Sequence, residues 1–326
     1  MEQDRNHPYF RLGPDEVLDA VESKGYLTNG RILALNSYEN RVYQAGIEDQ
    51  KPLVVKFYRP ERWADEAILE EHQFTLELAA QEIPVVAPIV DANGKTLHEH
   101  AGFRFALFLS HGGRAPELDN PEHLEWMGRF VGRIHSDKPF LHRPQLTVQR
   151  FAVDSAKFLL EHHFIPESLR KNYAMVIEEL LQGIHAAYAR AGKLSMLRLH
   201  GDCHPGNILW TDAGPHFVDF DDTLMGPAIQ DLWMWVSGDR GEMALQMSTI
   251  IEGYEDFREF NRRELHLVES LRSLRLIHYA AWLARRWQDP AFPLNFPWFN
   301  SERYWEEHIL TLKEQILAVD QPPLSI

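Results

Sequence analysis

One cysteine, Cys203, stands among 326 residues. Without a second thiol there is no internal disulfide, which suits a reducing compartment. Positive charge is also scarce: 33 Lys and Arg against 48 Asp and Glu give a formal net charge of −15. Nucleic-acid binders carry a basic stripe and anionic bilayers attract one, so both partner classes are disfavoured. No uncharged apolar run approaches the roughly 20 residues that cross a bilayer. The opening residues, MEQDRNHPYF, are too polar for a secretory core. A cytoplasmic monomer with no nucleic-acid or membrane partner is expected. The 17 histidines are scattered, and HEH at 98–100 lacks partner cysteines or an HExxH pattern, which argues against a zinc site.

The first third of the chain reads mainly as strands. RILALN and RVYQAG bracket the turn residues SYEN and predict a hairpin. PLVVKFY alternates, with Leu53, Val55 and Phe57 on one face and Val54, Lys56 and Tyr58 on the other. A helical pattern follows from about Trp63 to Ala80, then VVAPIV and FRFALFL as strands around the turn DANGK. SHGGR, residues 110–114, reads as a linker because two adjacent glycines free the backbone. Beyond it the pattern turns helical. Asn120 can cap a helix that starts at Pro121, and Leu124, Met127, Val131 and Ile134 repeat at helical spacing. Further helices are predicted over 167–191, around Leu267, Leu271, Leu274 and Ile277, and near 302–318. The fold class is α+β and bilobal. A small sheet-rich N-lobe with one helix spans residues 1–110, a larger helical C-lobe spans 111–326, and the cleft between them is the natural ligand site.

Short strands reappear in the C-lobe only around LRLHGDCHPGNILW, residues 197–210, and HFVDF. Asp202 and Asn207 have the spacing of the kinase catalytic loop H-R-D-x-x-x-x-N. An Asp beside a substrate hydroxyl can take its proton. A carboxamide oxygen is a neutral, hard ligand suited to Mg²⁺ next to phosphates. Twelve residues after Asn207, Asp219 ends an apolar strand as the Asp of D-F-G does, although the third position is Asp221. Lys56, mid-strand in VVKFY, matches the lysine of V-A-I-K that contacts phosphates. The helix after it offers Glu70 or Glu71 as the carboxylate that holds this lysine, with Glu71 preferred. The four elements also occur in kinase order.

These motifs, with HGDxHxxN in place of HRDxxxxN, resemble the aminoglycoside and choline phosphotransferase group of the protein-kinase-like fold. More closely, NSYENRVYQ, VVKFYRPERW, EEHQF, LRLHGDCHPGNILW, QDLWM and DPAFPLNFPW resemble the bacterial stress-response Ser/Thr protein kinases. The resemblance spans nearly the whole chain. It implies ATP as co-substrate, Mg²⁺ as cofactor and a Ser/Thr hydroxyl of a protein as acceptor, with possible autophosphorylation. It further implies Asp202 as proton acceptor, Asn207 and Asp219 as Mg²⁺ ligands, with Asp219 also part of the catalytic set, and Ser37 as a contact in the ATP-covering turn. Two absences stand against a conventional protein kinase. NSYENRVY lacks G-x-G-x-x-G, and only twelve residues separate Asp219 from Asp231, with no A-P-E.

The alternatives are a small-molecule kinase acting on an amino alcohol, aminoglycoside or sugar, and a non-catalytic nucleotide-binding protein. Asp221 and Asp222 read as turn or cap residues, and Asp231 as a structural brace of the catalytic loop. Cys203 reads as a packed residue, since the neighbouring carboxylate opposes a thiolate.

Overall fold

The protein is described by a computed structural model that covers residues 8–326; the polar start of the chain, residues 1–7, lies outside the described residues. A nine-residue helix, α1 (Pro14–Glu22), leads into the strands β1 (Thr28–Ala34), β2 (Arg41–Ile47) and β3 (Leu53–Phe57). Helix α2 (Asp65–Ala80) and strands β4 (His98–His100) and β5 (Phe103–Leu109) complete the N-lobe. The five strands form one antiparallel sheet in the order β1-β2-β3-β5-β4. The alternation in PLVVKFY decides its two faces. Leu53, Val55 and Phe57 bury against Val17, Ala20 and Val21 of α1, while Tyr58 packs with Ile68 of α2 and Ala106 of β5.

Two sequence expectations change here. The N-lobe has two helices, because PDEVLDAVE is amphipathic with a proline in its first turn and covers the open face of the sheet. VVAPIV forms no regular strand: Val85 bridges Phe217 and Pro88 bridges Phe108 in isolation. Pro84 and Pro88 carry no N–H for a ladder, so this segment threads between the lobes. The strand that pairs with FRFALFL in that region is HEH, which forms β4.

The C-lobe comprises α3 (Pro121–Ile134), α4 (Asp154–Glu161), α5 (Glu167–Ala191), α6 (Arg240–Glu255), α7 (Val268–Arg285), α8 (Ala291–Asn295) and α9 (Glu302–Val319). Between α5 and α6 lie two short ribbons. One pairs β6 (Leu197–Leu199) with β9 (Leu224–Gly226), the other β7 (Ile208–Thr211) with β8 (Gly214–Phe217). Asn120 starts α3 by accepting the Glu122 amide at 3.0 Å, with Pro121 at the first helical position. Asp239 and Glu242 close a reciprocal capping box on α6. Helices α3 and α6 cross at backbone contact. A methyl on Gly128 would strike the Ile250 carbonyl, and one on Gly253 the Glu125 carbonyl.

The main core fills the C-lobe and takes in Phe74 and Leu78 of α2 together with Ile83. One helix therefore belongs to both lobes: its early turns pack on the sheet and its late turns on the C-lobe. That shared packing fixes where the α2 carboxylates sit relative to the catalytic loop. Among the described residues no helix is long and apolar enough to cross a membrane.

Candidate active site

Lys56 lies on a central strand, paired with Val42 on one side and Ala106 on the other, and its residue is 6 % exposed. Its amine meets three carboxylates: Asp221 at 3.0 Å, Asp219 at 3.2 Å and Glu71 at 3.5 Å. Burial alone would push this amine down, yet Glu71 and Asp219 hold it charged, above its ordinary range. Glu70 points elsewhere, accepting the Leu141 and His142 amides at 2.6 and 2.8 Å. Successive helix positions are about 100° apart, so α2 can turn only one of the two carboxylates towards Lys56.

Asp219 is half-exposed in the cleft and adopts a left-handed backbone, φ 60° and ψ 62°. A non-glycine residue there costs about 1–2 kcal/mol, least for Asp and Asn. The strand thus breaks sharply at Asp219 and delivers its carboxylate out of the β8 line. Burial pushes that carboxyl up, but the Lys56 ammonium, His200 and Arg62 bring it below its ordinary value. Arg62, between β3 and α2, bonds to both Asp221 and Asp222. Arg143 donates to the carbonyls of Asp221 and Thr223 and lies 4.0 Å from Glu71. The cluster therefore sets four carboxylates, Glu71, Asp219, Asp221 and Asp222, against three cations, Lys56, Arg62 and Arg143. Arg62 is shared further with Glu39 at 3.6 Å, and Asp219 is the partly exposed carboxylate that touches Lys56. Asp221 was read from the sequence as a turn residue; the structure places it nearer the lysine than either expected partner. The signal for it was the departure from D-F-G itself, a buried acid where a glycine is usual.

The catalytic-loop motif follows β6. Its glycine, Gly201, has φ +90°, and a side chain there would meet the Asp222 carbonyl, so no larger residue fits this turn. Asp231, fully buried, accepts the amides of His200 at 2.7 Å and Gly201 at 2.9 Å and touches His135 Nε2 at 3.1 Å. The Trp235 indole donates to the Cys203 carbonyl at 2.7 Å and Gln230 to that of Gly201 at 2.9 Å. The loop is thus held by the side chains of Gln230, Asp231 and Trp235 instead of by an extended activation segment. Replacing Asp231 with Asn turns one acceptor into a donor facing an amide. The expected cost is about 1.5–3 kcal/mol of stability, read from a chemical denaturation midpoint, together with a lower kcat at unchanged nucleotide affinity.

The Asn207 carboxamide nitrogen donates to the Asp202 carbonyl at 2.9 Å, which fixes its oxygen as the free end. The Val218 amide donates to the Asn207 carbonyl at 3.0 Å, and His200 Nε2 to the Val218 carbonyl at 2.9 Å. Asn207 is thereby tied to the residue preceding Asp219. Cys203 is fully buried; burial, then Asp231 and Asp202, pushes its thiol far up, so it stays protonated and packed.

The turn 36–40 compensates for its missing glycines by ionic ties. Ser37 donates to the Asn40 carbonyl at 3.4 Å, and buried Asn40 accepts the Arg59 amide at 3.0 Å. Glu39 bonds to Arg59 at 3.0 Å and to Trp282 and Arg286 of the C-lobe. Arg41 and Arg59 meet Asp289 at 2.9 and 2.6 Å. Neither this strap nor Arg275, whose guanidinium bonds to Asp202, was visible in a local motif.

Compared with known proteins, residues 31–268 match the family described as phosphotransferase enzyme family. Stress response kinase A of Escherichia coli O157:H7 is 48 % identical over 318 residues, covering 97 % of this chain and 96 % of its own. Serine/threonine protein kinase RdoA of Salmonella typhimurium LT2 is 44 % identical over 326 residues, covering 99 % and 98 %. Among solved structures, amicoumacin kinase hAmiN in complex with AMP-PNP, Ca2+ and Ami is 20 % identical and superposes with a TM-score of 0.71 over 95 % of each chain. That last likeness is one of fold, and it agrees with the two lobes seen here. A family match across most of the chain and near-full-length identity to named kinases leave one assignment: the chain belongs to the phosphotransferase enzyme family, in the branch that includes the stress response kinases, and is a kinase of protein-kinase-like fold.

Proposed function

We propose that this kinase transfers the γ-phosphoryl group of ATP to Ser or Thr hydroxyls of proteins, itself among them, in the cytoplasm. The observation that carries the reading is the 44–48 % identity, over almost the full length, to proteins named as stress response and Ser/Thr kinases. The cleft geometry supports it. Adenine lies against the linker near Phe108–Gly112, and Lys56, held by Glu71, contacts the α- and β-phosphates. Ser37 and the amides of its turn cover the phosphates.

The donor set suits Mg²⁺. The Asn207 oxygen is the free end of its carboxamide and the Asp219 carboxylate is half-exposed in the cleft, and both are hard ligands. Among the described residues no cage of three or more His, Cys, Asp or Glu is preformed. Mg²⁺ needs none, since it usually takes one or two protein ligands beside phosphate oxygens. Asn207 and Asp219 would hold it, and its charge would offset that of the phosphates. Asp202 orients the acceptor hydroxyl and takes its proton as the acceptor oxygen bonds to the γ-phosphorus and the bond to the departing ADP oxygen breaks. Most of the rate enhancement comes from positioning and fixed charge.

Purified protein incubated with γ-labelled ATP and Mg²⁺, with and without a generic protein acceptor, tests this. Label on the chain itself and on the acceptor protein is expected. Label only on a small hydroxyl compound from a metabolite panel would replace this reading by the small-molecule one.

A further inference from the structure

Helix α7 is the cationic exception in an acidic chain: it carries Arg272, Arg275 and Arg285 against one acid, Glu269. Arg272 is occupied by Glu269 at 3.1 Å. Arg275 reaches the catalytic loop instead, where its Nη1 donates to Asp202 Oδ1. At 3.6 residues per turn, positions 275, 279, 282 and 286 share one face. That strip begins at Asp202 and ends at the nucleotide-covering turn, where Trp282 and Arg286 bond to Glu39. An acceptor that brings its hydroxyl to Asp202 while facing a nucleotide under that turn must lie along it.

The two oxygens of Asp202 are not equivalent. Oδ2 lies 3.7 Å from His204 Nε2, and His204 Nδ1 accepts the Gly206 amide, which places the neutral ring's proton on Nε2. Oδ1 is taken by Arg275, whose side chain is 42 % exposed. A guanidinium has five N–H donors in a fixed fork. Among the described residues Asp202 is the one hydrogen-bonding partner of Arg275, so most of that part-exposed fork is left without a protein acceptor.

Resting on the protein-kinase reading above, we propose that Arg275 is a specificity-determining residue that recognises an acidic group next to the acceptor hydroxyl. The preferred acceptor is then a Ser or Thr in an acidic peptide segment. When it docks, its carboxylate takes the guanidinium fork and Asp202 Oδ1 is released to the hydroxyl. Exchanging one carboxylate for another keeps the local charge balanced. A cationic acceptor such as an amino alcohol would instead set its charge against Arg275.

The test uses the full chain and three peptides that differ only in the residues flanking one Ser: acidic, neutral or basic. For the unmodified protein, kcat/KM is expected to fall by about tenfold from the acidic to the neutral peptide, as one charge-assisted contact supplies, and further for the basic one. The effect is carried by the peptide KM, with the KM for ATP unchanged. Arg275→Ala is expected to erase the order and Arg275→Glu to invert it. Arg285→Glu, the same charge change on α7 outside the strip, is expected to keep it. A purely structural role for Arg275 would lower all three peptides equally, and that result overturns the proposal. So does equal use of the three peptides by the unmodified protein. If no peptide or protein is labelled while a small hydroxyl compound is, the protein-kinase reading falls and this proposal with it.

Discussion

Asp202→Asn is expected to cut turnover by about 10²–10⁴-fold, the usual contribution of a positioned general base, while MgATP affinity stays within about twofold. The substitution keeps shape and the backbone carbonyl that holds the Asn207 carboxamide. It removes the atom proposed to take the acceptor proton and the charge that pairs with Arg275. The proposed nucleotide contacts are Lys56, Asn207, Asp219 and the turn around Ser37, none of which this change touches directly. Single-turnover transfer from labelled ATP, with calorimetry of nucleotide binding alongside, separates the two quantities. Turnover within threefold of the unmodified protein would remove Asp202 from the role of proton acceptor.

Lys56→Met is expected to have the largest effect on stability. The lysine is the shared cation of three carboxylates, two of them buried. Removing one partner of a buried ion pair usually costs about 3–5 kcal/mol, because the remaining charge is stranded in a poorly polarisable interior. Arg62 still bonds to Asp221 and Arg143 stands 4.0 Å from Glu71, so the deficit is expected at the lower end of that range. Its pH dependence has a definite sign. The folded Asp219 carboxyl titrates below its ordinary value of 3.8, so its contribution is present above that value and lost as the pH falls through the folded one. The gap between the unmodified protein and Lys56→Met should therefore be full near neutrality and narrow in acid. Denaturant midpoints at pH 7 and at about pH 2, below the ordinary carboxylate range, measure it. A constant gap would mean that the loss is one of packing. MgATP affinity is expected to fall as well, since the same amine is the proposed phosphate contact.

The parts of this structure that were legible in the sequence are those written in local order. PLVVKFY announces its two faces by alternation, Asn120-Pro121 announces a helix start, and H-G-D-x-x-x-x-N announces a loop carrying two polar groups. Gly201 could be expected to stay glycine once the close approach to Asp222 is known, but the sequence contains no sign of that approach. The ion pairs around the cleft were not legible, because they join residues far apart along the chain. Arg62 and Asp221 are separated by 159 positions, Asp202 and Arg275 by 73, and Glu39 and Trp282 by 243. Periodicity speaks of one element at a time and says nothing of which charged ends will meet. VVAPIV misled for a related reason. Most of its apolar residues are only partly buried and Val90 is exposed, and Pro88 with the preceding Pro84 cannot supply a strand ladder, so apolar character came without regular structure.

The proposal that side chains from both lobes converge on a metal-bound triphosphate is tested most directly by calorimetric titration of ATP into the unmodified protein and Asp219→Asn, each with and without Mg²⁺. Binding to the unmodified protein is expected to depend on Mg²⁺, and Asp219→Asn to bind MgATP at least tenfold more weakly while responding little to the metal. Equal, Mg²⁺-enhanced affinity in both proteins would contradict it, since Asp219 would then have no part in holding the metal and its nucleotide.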